Sequence, residues 1–169
     1  MITITDNLFS EEEMGLIKNH GAFLYQDIEL LQSWKGHPLT NYAETDVGHS
    51  FTLNKKFPDD KEIMEIVIDK LKLSYPKIRI IYYWNNPGWR FALHPDVNRS
   101  FAASIYLNED WDNKKYGGQF IWLDGKMHRN TVDIKYNRAI SFYPPVWHCT
   151  KMIRDGAPVR ESIQVFCED

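Results

Sequence analysis

Short β-rich runs separated by turns dominate the chain after Pro76 and limit the folds it can adopt. Each run is rich in Ile, Phe, Tyr, Val or Trp, and Gly, Pro, Asn and Asp are common between the runs. In order, the runs read KIRIIYYW, WRFALH, SFAASIYL, GQFIWL, TVDI, RAISFY and VRESIQVF. No segment with helical periodicity separates them, so the pattern predicts an antiparallel sandwich or barrel.

Two helices are predicted before Pro76. The first opens with Ser10 and Glu13 at the spacing of a capping box, and we expect it to close at Gly21. The second lies within residues 58–76, where apolar residues recur at helical spacing until the proline stops the helix. The polar segment between the two helices, residues 33–50, is interpreted as a loop.

The order of these elements predicts an α+β protein. We expect one domain over residues 1–169, because a chain of this length can bury a single core. Residues 1–76 are predicted to be mainly helical support and loop. Residues 77–169 are predicted to form a double-stranded β-helix, or jelly-roll, with the helices packed on one outer face.

Composition excludes several classes of partner. The net charge is −3 without a basic stripe, so there is no nucleic-acid signal. No stretch approaches the roughly 18 apolar residues of a membrane helix, so we expect no membrane partner. The first residues lack a basic leader, and the two cysteines form no CxxC pair, which predicts a cytoplasmic protein. Nothing in the pattern specifies an oligomeric state.

The segment WRFALHPDVNRS, residues 89–100, contains the first candidate for chemistry. A strand-like apolar run ends in His94 and Asp96. In an extended chain, residues two apart point to the same face, so both side chains could reach one metal ion. The alternative is an ordinary surface histidine beside an aspartate that caps a turn.

A second histidine favours the metal interpretation. His148 lies in ISFYPPVWHCT, again where an apolar run meets a turn, and Arg160 follows twelve residues later in the last predicted strand. Two histidines and one carboxylate on one face of an ion are the ligand set of non-haem Fe(II) oxygenases. A structural zinc site would favour cysteine thiolates.

Residues 78–167 resemble the Fe(II)- and 2-oxoglutarate-dependent dioxygenases, specifically their prolyl-4-hydroxylase-like branch. The resemblance rests on His94-Pro95-Asp96 and on three later blocks. The blocks read SIYLNEDWDNKKYGGQFIWL, RAISFYPPVWHCT and GAPVRESIQVF. It implies Fe(II) and O2, with 2-oxoglutarate as cosubstrate, succinate and CO2 as co-products, and ascorbate as a reductant.

The same resemblance implies roles for individual residues. His94, Asp96 and His148 correspond to the iron ligands at the catalytic centre. Arg160 matches the residue that pairs with the distal carboxylate of 2-oxoglutarate, and Tyr106 matches a tyrosine that hydrogen-bonds the same cosubstrate.

Two further residues are candidates for cosubstrate binding. Many relatives carry a second cosubstrate-binding tyrosine just upstream of the H-x-D motif, where this chain has Trp84 and Asn85. Tyr83 is the candidate to replace it. Ser162 shares a strand face with Arg160 and completes the proposed cosubstrate-binding set.

Strand alternation in the last run is ambiguous. Arg160, Ser162 and Gln164 share one face, and simple alternation would turn this polar face toward solvent. A jelly-roll that encloses a polar cosubstrate instead needs a polar interior. We therefore expect this face to line the barrel.

The resemblance predicts an enzyme that hydroxylates a C–H bond. A prolyl residue of a peptide or protein is one candidate substrate, and a small molecule is another. Two rival functions are a metal-binding jelly-roll without turnover and a cupin-like metal-dependent hydrolase or isomerase. Arg160 separates them, because neither rival needs a buried anchor for a carboxylate.

Overall fold

Two antiparallel sheets form the core of the structure. The computed structural model describes all residues from 1 to 169. The strands are β1 (Ile2–Thr5), β2 (Gln32–Ser33), β3 (Gly48–Thr52), β4 (Lys77–Asn85), β5 (Phe101–Tyr106), β6 (Phe120–Leu123), β7 (Arg129–Val132), β8 (Ala139–Phe142), β9 (His148–Thr150) and β10 (Arg160–Glu168). The helices are α1 (Glu11–Tyr25), α2 (Pro58–Leu71) and the single turn α3 (Asn113–Tyr116).

The larger sheet has seven strands in the order β1-β8-β5-β10-β4-β3-β2, and the smaller has three in the order β7-β6-β9. All strand pairs in both sheets are antiparallel. The last strand, β10, lies at the centre of the larger sheet, between β5 and β4. This arrangement confirms the predicted α+β class and the jelly-roll core.

Helices α1 and α2 cover the outer face of the larger sheet. Met14 and Ile17 of α1 and Val67 of α2 are fully buried in one cluster with Ile163 and Val165 of β10. The opposite face of the same sheet turns toward the smaller sheet and contributes to a second cluster. Because both faces are covered, no residue of β10 is exposed. None of the helices is long and apolar enough to cross a bilayer.

The first 76 residues contribute more sheet than their sequence indicated. Strands β1, β2 and β3 all precede residue 77 and belong to the larger sheet. The predicted loop at residues 33–50 therefore ends in β3, which pairs with β4. The polar composition of the segment gave no strand signal. Its residues form a strand because they hydrogen-bond to β4, and not because they contain an apolar run.

The run WRFALH was also misassigned. Residues 89–93 are irregular, and His94 makes only an isolated bridge with His148. Aromatic packing explains the apolar composition: Trp89 is fully buried, and its ring lies 4.5 Å from that of Phe91. Apolar runs of this length indicate burial more reliably than they indicate a strand.

Helix α1 continues through Gly21, where we expected it to end. The predicted capping box is present at its start, with Ser10 and Glu13 bonded reciprocally. The helix passes Gly21 because that residue packs against β4: a Cβ atom there would lie 2.8 Å from Cε1 of Tyr82. The Tyr82 ring is fixed, since its hydroxyl donates to the Ile17 carbonyl at 2.6 Å.

Alanine substitutions at the two glycines of α1 should therefore have opposite effects. Gly21→Ala should lower the free energy of unfolding by about 1–3 kcal/mol, because the new methyl group overpacks against Tyr82. Gly15 has no atom within 4 Å of its Cβ position. Gly15→Ala should raise stability by about 0.5–1 kcal/mol through helix propensity alone. Urea unfolding measures both; similar stabilisation by the two changes would contradict this packing.

Candidate metal centre

Three potential metal ligands converge between the two sheets. Nε2 of His148 lies 3.6 Å from Oδ2 of Asp96, and Nε2 of His94 lies 3.9 Å from Oδ1 of the same carboxylate. One ligand atom from each residue lies within 4.8 Å of the other two. His148 is buried, and the other two are half-buried.

Backbone hydrogen bonds bring the ligands together from distant parts of the chain. The amide of His94 donates to the carbonyl of His148, and the amide of His148 donates to the carbonyl of His94, both at 3.0 Å. His148 begins β9, which is anchored to β6. The reciprocal pair therefore docks the irregular H-x-D segment onto a regular sheet.

Both imidazoles are oriented with Nε2 free to bind a cation. Nδ1 of His94 lies 2.7 Å from the Ala92 carbonyl oxygen, and Nδ1 of His148 lies 2.8 Å from that of Val146. A carbonyl only accepts, so each Nδ1 carries the proton and each Nε2 offers a lone pair. Burial, aided by the neighbouring His94, lowers the pKa of His148 and favours its neutral, ligating form. This donor set fits a borderline divalent cation such as Fe(II).

Aromatic rings enclose the histidines. Phe120 stacks on His148 with 5.4 Å between ring centroids, and Phe142 lies 4.9 Å away on a tilted plane. Phe91 meets His94 edge-on at 5.7 Å. These contacts restrict rotation of both imidazoles and exclude water from much of their surface.

Arg160, the first residue of β10, points into the same cavity. It is only 3% exposed. Its Nη2 and Nε donate to Oδ1 of Asn85 at 2.9 and 3.3 Å, and its Nη1 donates to the Gly118 carbonyl at 2.6 Å. No carboxylate contacts the guanidinium, and burial lowers the pKa of Arg160. Three of its five N–H groups are thus used by neutral acceptors, which leaves two available.

The ligands and the guanidinium line one cavity with about 520 Å³ of empty space, part of it open to solvent. Tyr106 and Tyr83 also line it, and burial raises the pKa of both phenols, which keeps them protonated as donors. The ring of Tyr106 lies 5.9 Å from Cζ of Arg160. The polar face of β10 therefore lines the barrel, as expected.

The tyrosine and serine candidates occupy different positions. Tyr83 lies on the inner face, whereas its neighbour Trp84 is buried among the residues under the helices. Ser162 is fully buried opposite Tyr83 and Tyr106 in the strand register. Its hydroxyl accepts a hydrogen bond from Nε2 of Gln164 at 3.0 Å. Gln164 itself lines the cavity.

Two residues at this site were not singled out from the sequence for this role. Asn85 ends β4 directly opposite Arg160 and orients its guanidinium. Gly118 supplies the other acceptor through its backbone, which gives no side-chain signal. Asn85 could have been found from its position at the end of an apolar strand, where a buried amide needs a polar partner.

The chain shares its fold with several solved oxygenase structures. No protein-family model and no curated protein matches it. A prolyl hydroxylase from Trichoplax adhaerens, in complex with a peptide fragment of the hypoxia inducible factor oxygen degradation domain, is similar with a TM-score of 0.75. It is 15% identical, over 99% of this chain and 83% of that one.

Two further structures show the range of this fold. A Pseudomonas putida prolyl-4-hydroxylase has a TM-score of 0.70 at 16% identity, over 99% of this chain and 92% of its own. The non-heme alpha ketoglutarate dependent epimerase SnoN from nogalamycin biosynthesis has a TM-score of 0.72 at 11% identity. The match covers 99% of this chain and 76% of the epimerase chain. These likenesses establish the fold, and different reactions occur within it.

Removing either histidine should abolish stoichiometric binding of Fe(II). His94→Ala and His148→Ala each leave two of three candidate ligands, while the fold should still unfold cooperatively because both apolar core clusters remain. Iron retained after anaerobic desalting is the measurement. His128→Ala is the matched control, since that side chain is 72% exposed. Full iron occupancy in either variant would remove that histidine from the site.

Proposed function

We propose that this protein is an Fe(II)- and 2-oxoglutarate-dependent dioxygenase that hydroxylates a C–H bond. His94, Asp96 and His148 would hold the iron, and Arg160 would hold the distal carboxylate of 2-oxoglutarate. Iron bound there supplies activation of O2 coupled to decarboxylation of the cosubstrate to succinate and CO2. Ascorbate would serve as the reductant that keeps the metal in its ferrous state.

The buried, unpaired guanidinium of Arg160 is the observation that carries this proposal. A buried cation without a counter-charge is costly, so such a group usually has an anion to meet. The structure provides only the neutral oxygens of Asn85 and Gly118. A dicarboxylic acid fits this site, because one end can reach the metal ligands while the planar guanidinium fork holds the other.

Neighbouring side chains would complete the cosubstrate site. Tyr106 lies against the guanidinium and is protonated, so it can donate a hydrogen bond to the same carboxylate. Tyr83 and Ser162 are proposed as further cosubstrate-binding residues on the inner face of the sheet. The rings of Phe120 and Phe142 would exclude water from the metal side of the cavity.

The rival functions do not account for Arg160. A jelly-roll that only binds metal, or a cupin-like hydrolase or isomerase, would use the three ligands but not a buried anion anchor in the same cavity. A dioxygenase uses both. A prolyl residue of a peptide or protein is the substrate we propose to test first, because the YLNEDWD block resembles the hypoxia-type prolyl hydroxylases. The peptide-bound Trichoplax adhaerens structure has the same fold.

Changing Arg160 should weaken 2-oxoglutarate binding without loss of iron. Arg160→Ala removes the bidentate partner and should cost about 2–5 kcal/mol, or roughly 30- to several-thousand-fold in Kd. Arg160→Lys should recover part of this loss, because an ammonium cannot reproduce the planar fork. Tyr106→Phe removes one neutral hydrogen bond and should cost about 0.5–1.5 kcal/mol. An anaerobic titration, followed by the absorption band of the ternary complex, measures each Kd.

The matched control is Arg129→Ala, which removes an exposed arginine from β7. Its Kd for 2-oxoglutarate should equal that of the wild type. An unchanged Kd in Arg160→Ala would refute the proposed cosubstrate site and favour the metal-binding rival.

Turnover should require the same residues. With Fe(II), ascorbate and O2, the wild-type protein should form succinate from 2-oxoglutarate, and prolyl peptides that are substrates should gain 16 Da. His148→Ala should form no succinate, because it lacks a metal ligand. Mass spectrometry of peptide panels and of lysate incubated with the protein identifies the product. If the protein binds 2-oxoglutarate tightly but forms no succinate, a binding module would explain the site better than an enzyme.

A further inference from the structure

A second groove lies at the edge of the larger sheet, next to the metal cavity. Residues of β2, β3 and β4 line it, together with the segment that follows β2, and it shares Tyr83 with the metal cavity. Ser50 pairs with Tyr83, and Thr52 pairs with Ile81, so these residues face the same side of the sheet. The groove is therefore an extension of the barrel interior toward the sheet edge.

Arg79 places an unpaired positive charge in this groove. It makes no hydrogen bond and no ion pair, and its Nε is buried without an acceptor. Its Cζ lies 5.9 Å from the ring of Phe166, which is directly opposite in β10 and lines the metal cavity. Cζ of Arg99 lies 5.2 Å from the same ring, so two guanidinium groups contact Phe166 at the junction of the two cavities.

An acidic group near Arg79, Glu168, is already paired with two other cations. Glu168 accepts from Lys77 at one carboxylate oxygen and pairs with Arg99 through the other. The hydrogen bond from Lys77 is the largest cause that lowers the pKa of Glu168, and Arg79 is the weakest of the causes. The side chain of Arg79 has no salt bridge, and its Nε–H is available to a ligand.

Two other side chains of the groove present N–H donors, whereas its serine and threonine hydroxyls can donate or accept. Trp34 also has a buried Nε1–H group without an acceptor. Nδ1 of His37 accepts from the Leu39 amide at 3.1 Å, so a neutral His37 carries its proton on Nε2. No carboxylate lines the groove. A ligand that supplies negative charge and acceptor oxygens would satisfy these groups.

We propose that this groove is a substrate subsite that binds a carboxylate of the substrate through Arg79. The inference rests on the proposed function, because it takes the adjoining cavity as the place of reaction. Arg79 and Tyr83 are four residues apart on one strand face, which separates their Cα atoms by about 13 Å. The substrate class is then an acidic molecule or acidic peptide that extends from this groove into the metal cavity.

Small matched probes test the subsite without knowledge of the substrate. N-acetylglutamate α-amide carries a side-chain carboxylate, N-acetylglutamine carries only an α-carboxylate, and N-acetylglutamine α-amide carries none. Each is titrated into wild-type protein loaded with diamagnetic Zn(II) and 2-oxoglutarate, and NMR follows the Arg79 Nε–H and Trp34 Nε1–H signals. We expect saturable shifts with a carboxylate probe and none with the neutral amide. If N-acetylglutamate α-amide binds more tightly, the subsite prefers an acidic side chain. If N-acetylglutamine binds more tightly, the subsite prefers a free α-carboxyl group.

Variants check that Arg79 is the anchor. Arg79→Gln should weaken binding of the carboxylate probe at least about ten-fold, as expected for loss of a charged hydrogen bond. Arg79→Lys should retain part of the affinity for the carboxylate probe. Lys126→Gln removes the same charge from an exposed turn and should change nothing. Equal shifts with charged and neutral probes in the wild type, or undiminished binding in Arg79→Gln, would overturn the proposal.

The result is separable from the proposed function. The same samples report binding of 2-oxoglutarate, which depends on Arg160 and the metal ligands in the other cavity. Loss of carboxylate selectivity with intact 2-oxoglutarate binding counts against the groove alone. Failure to bind 2-oxoglutarate counts against the dioxygenase.

Discussion

The buried guanidinium of Arg160 is the constraint around which the interior is organised. A charge removed from water needs strong compensation, yet Arg160 has only the amide oxygen of Asn85 and the Gly118 carbonyl. Those two acceptors fix its plane and leave donors directed at the cavity. Selection for stability alone would favour an apolar residue at the start of a central strand. Under the proposed function, the distal carboxylate of 2-oxoglutarate would meet this charge.

The sheet can hold this polar interior because its other face carries the apolar core. Alternate residues of β10, such as Ile163 and Val165, pack under helices α1 and α2. The intervening residues, including Arg160 and Ser162, face the barrel. One face of the strand therefore contributes to the apolar core, and the opposite face lines the cavity proposed for the reaction. The edge of the same sheet continues the polar interior into the groove at Arg79.

Much of this organisation could be predicted from the sequence. The short strands, the capping box at Ser10 and the H-x-D motif of His94 and Asp96 are local signals. His148 is added by its position where an apolar run meets a turn and by the family resemblance, and the structure brings the three candidate ligands together. Alternation in β10 indicated which residues share the face of Arg160. The alternation of side chains along a strand is the same whether that face points into the barrel or toward solvent. Tertiary packing therefore decides which side the face of Arg160 occupies.

The features that sequence reasoning missed depend on distant contacts. Strand β3 is ordered by its ladder with β4. Residues 89–93 are apolar because they pack against other aromatic rings, and Gly21 is required by the position of Tyr82. Asn85 acquires its role only through Arg160, seventy-five residues away. The local pattern identifies none of these partners, although the position of Asn85 at the end of an apolar strand indicates that its amide needs one.

The most direct test of the central claim is a thermodynamic cycle on the distal carboxylate. Anaerobic Kd values are measured for 2-oxoglutarate and for 2-oxopentanoate, which has a methyl group in place of that carboxylate, in wild-type protein and in Arg160→Ala. If Arg160 anchors the carboxylate, the wild type should prefer 2-oxoglutarate by about thirty-fold or more, and the preference should nearly vanish in the variant. A preference that persists in Arg160→Ala, or no preference in the wild type, would contradict the account.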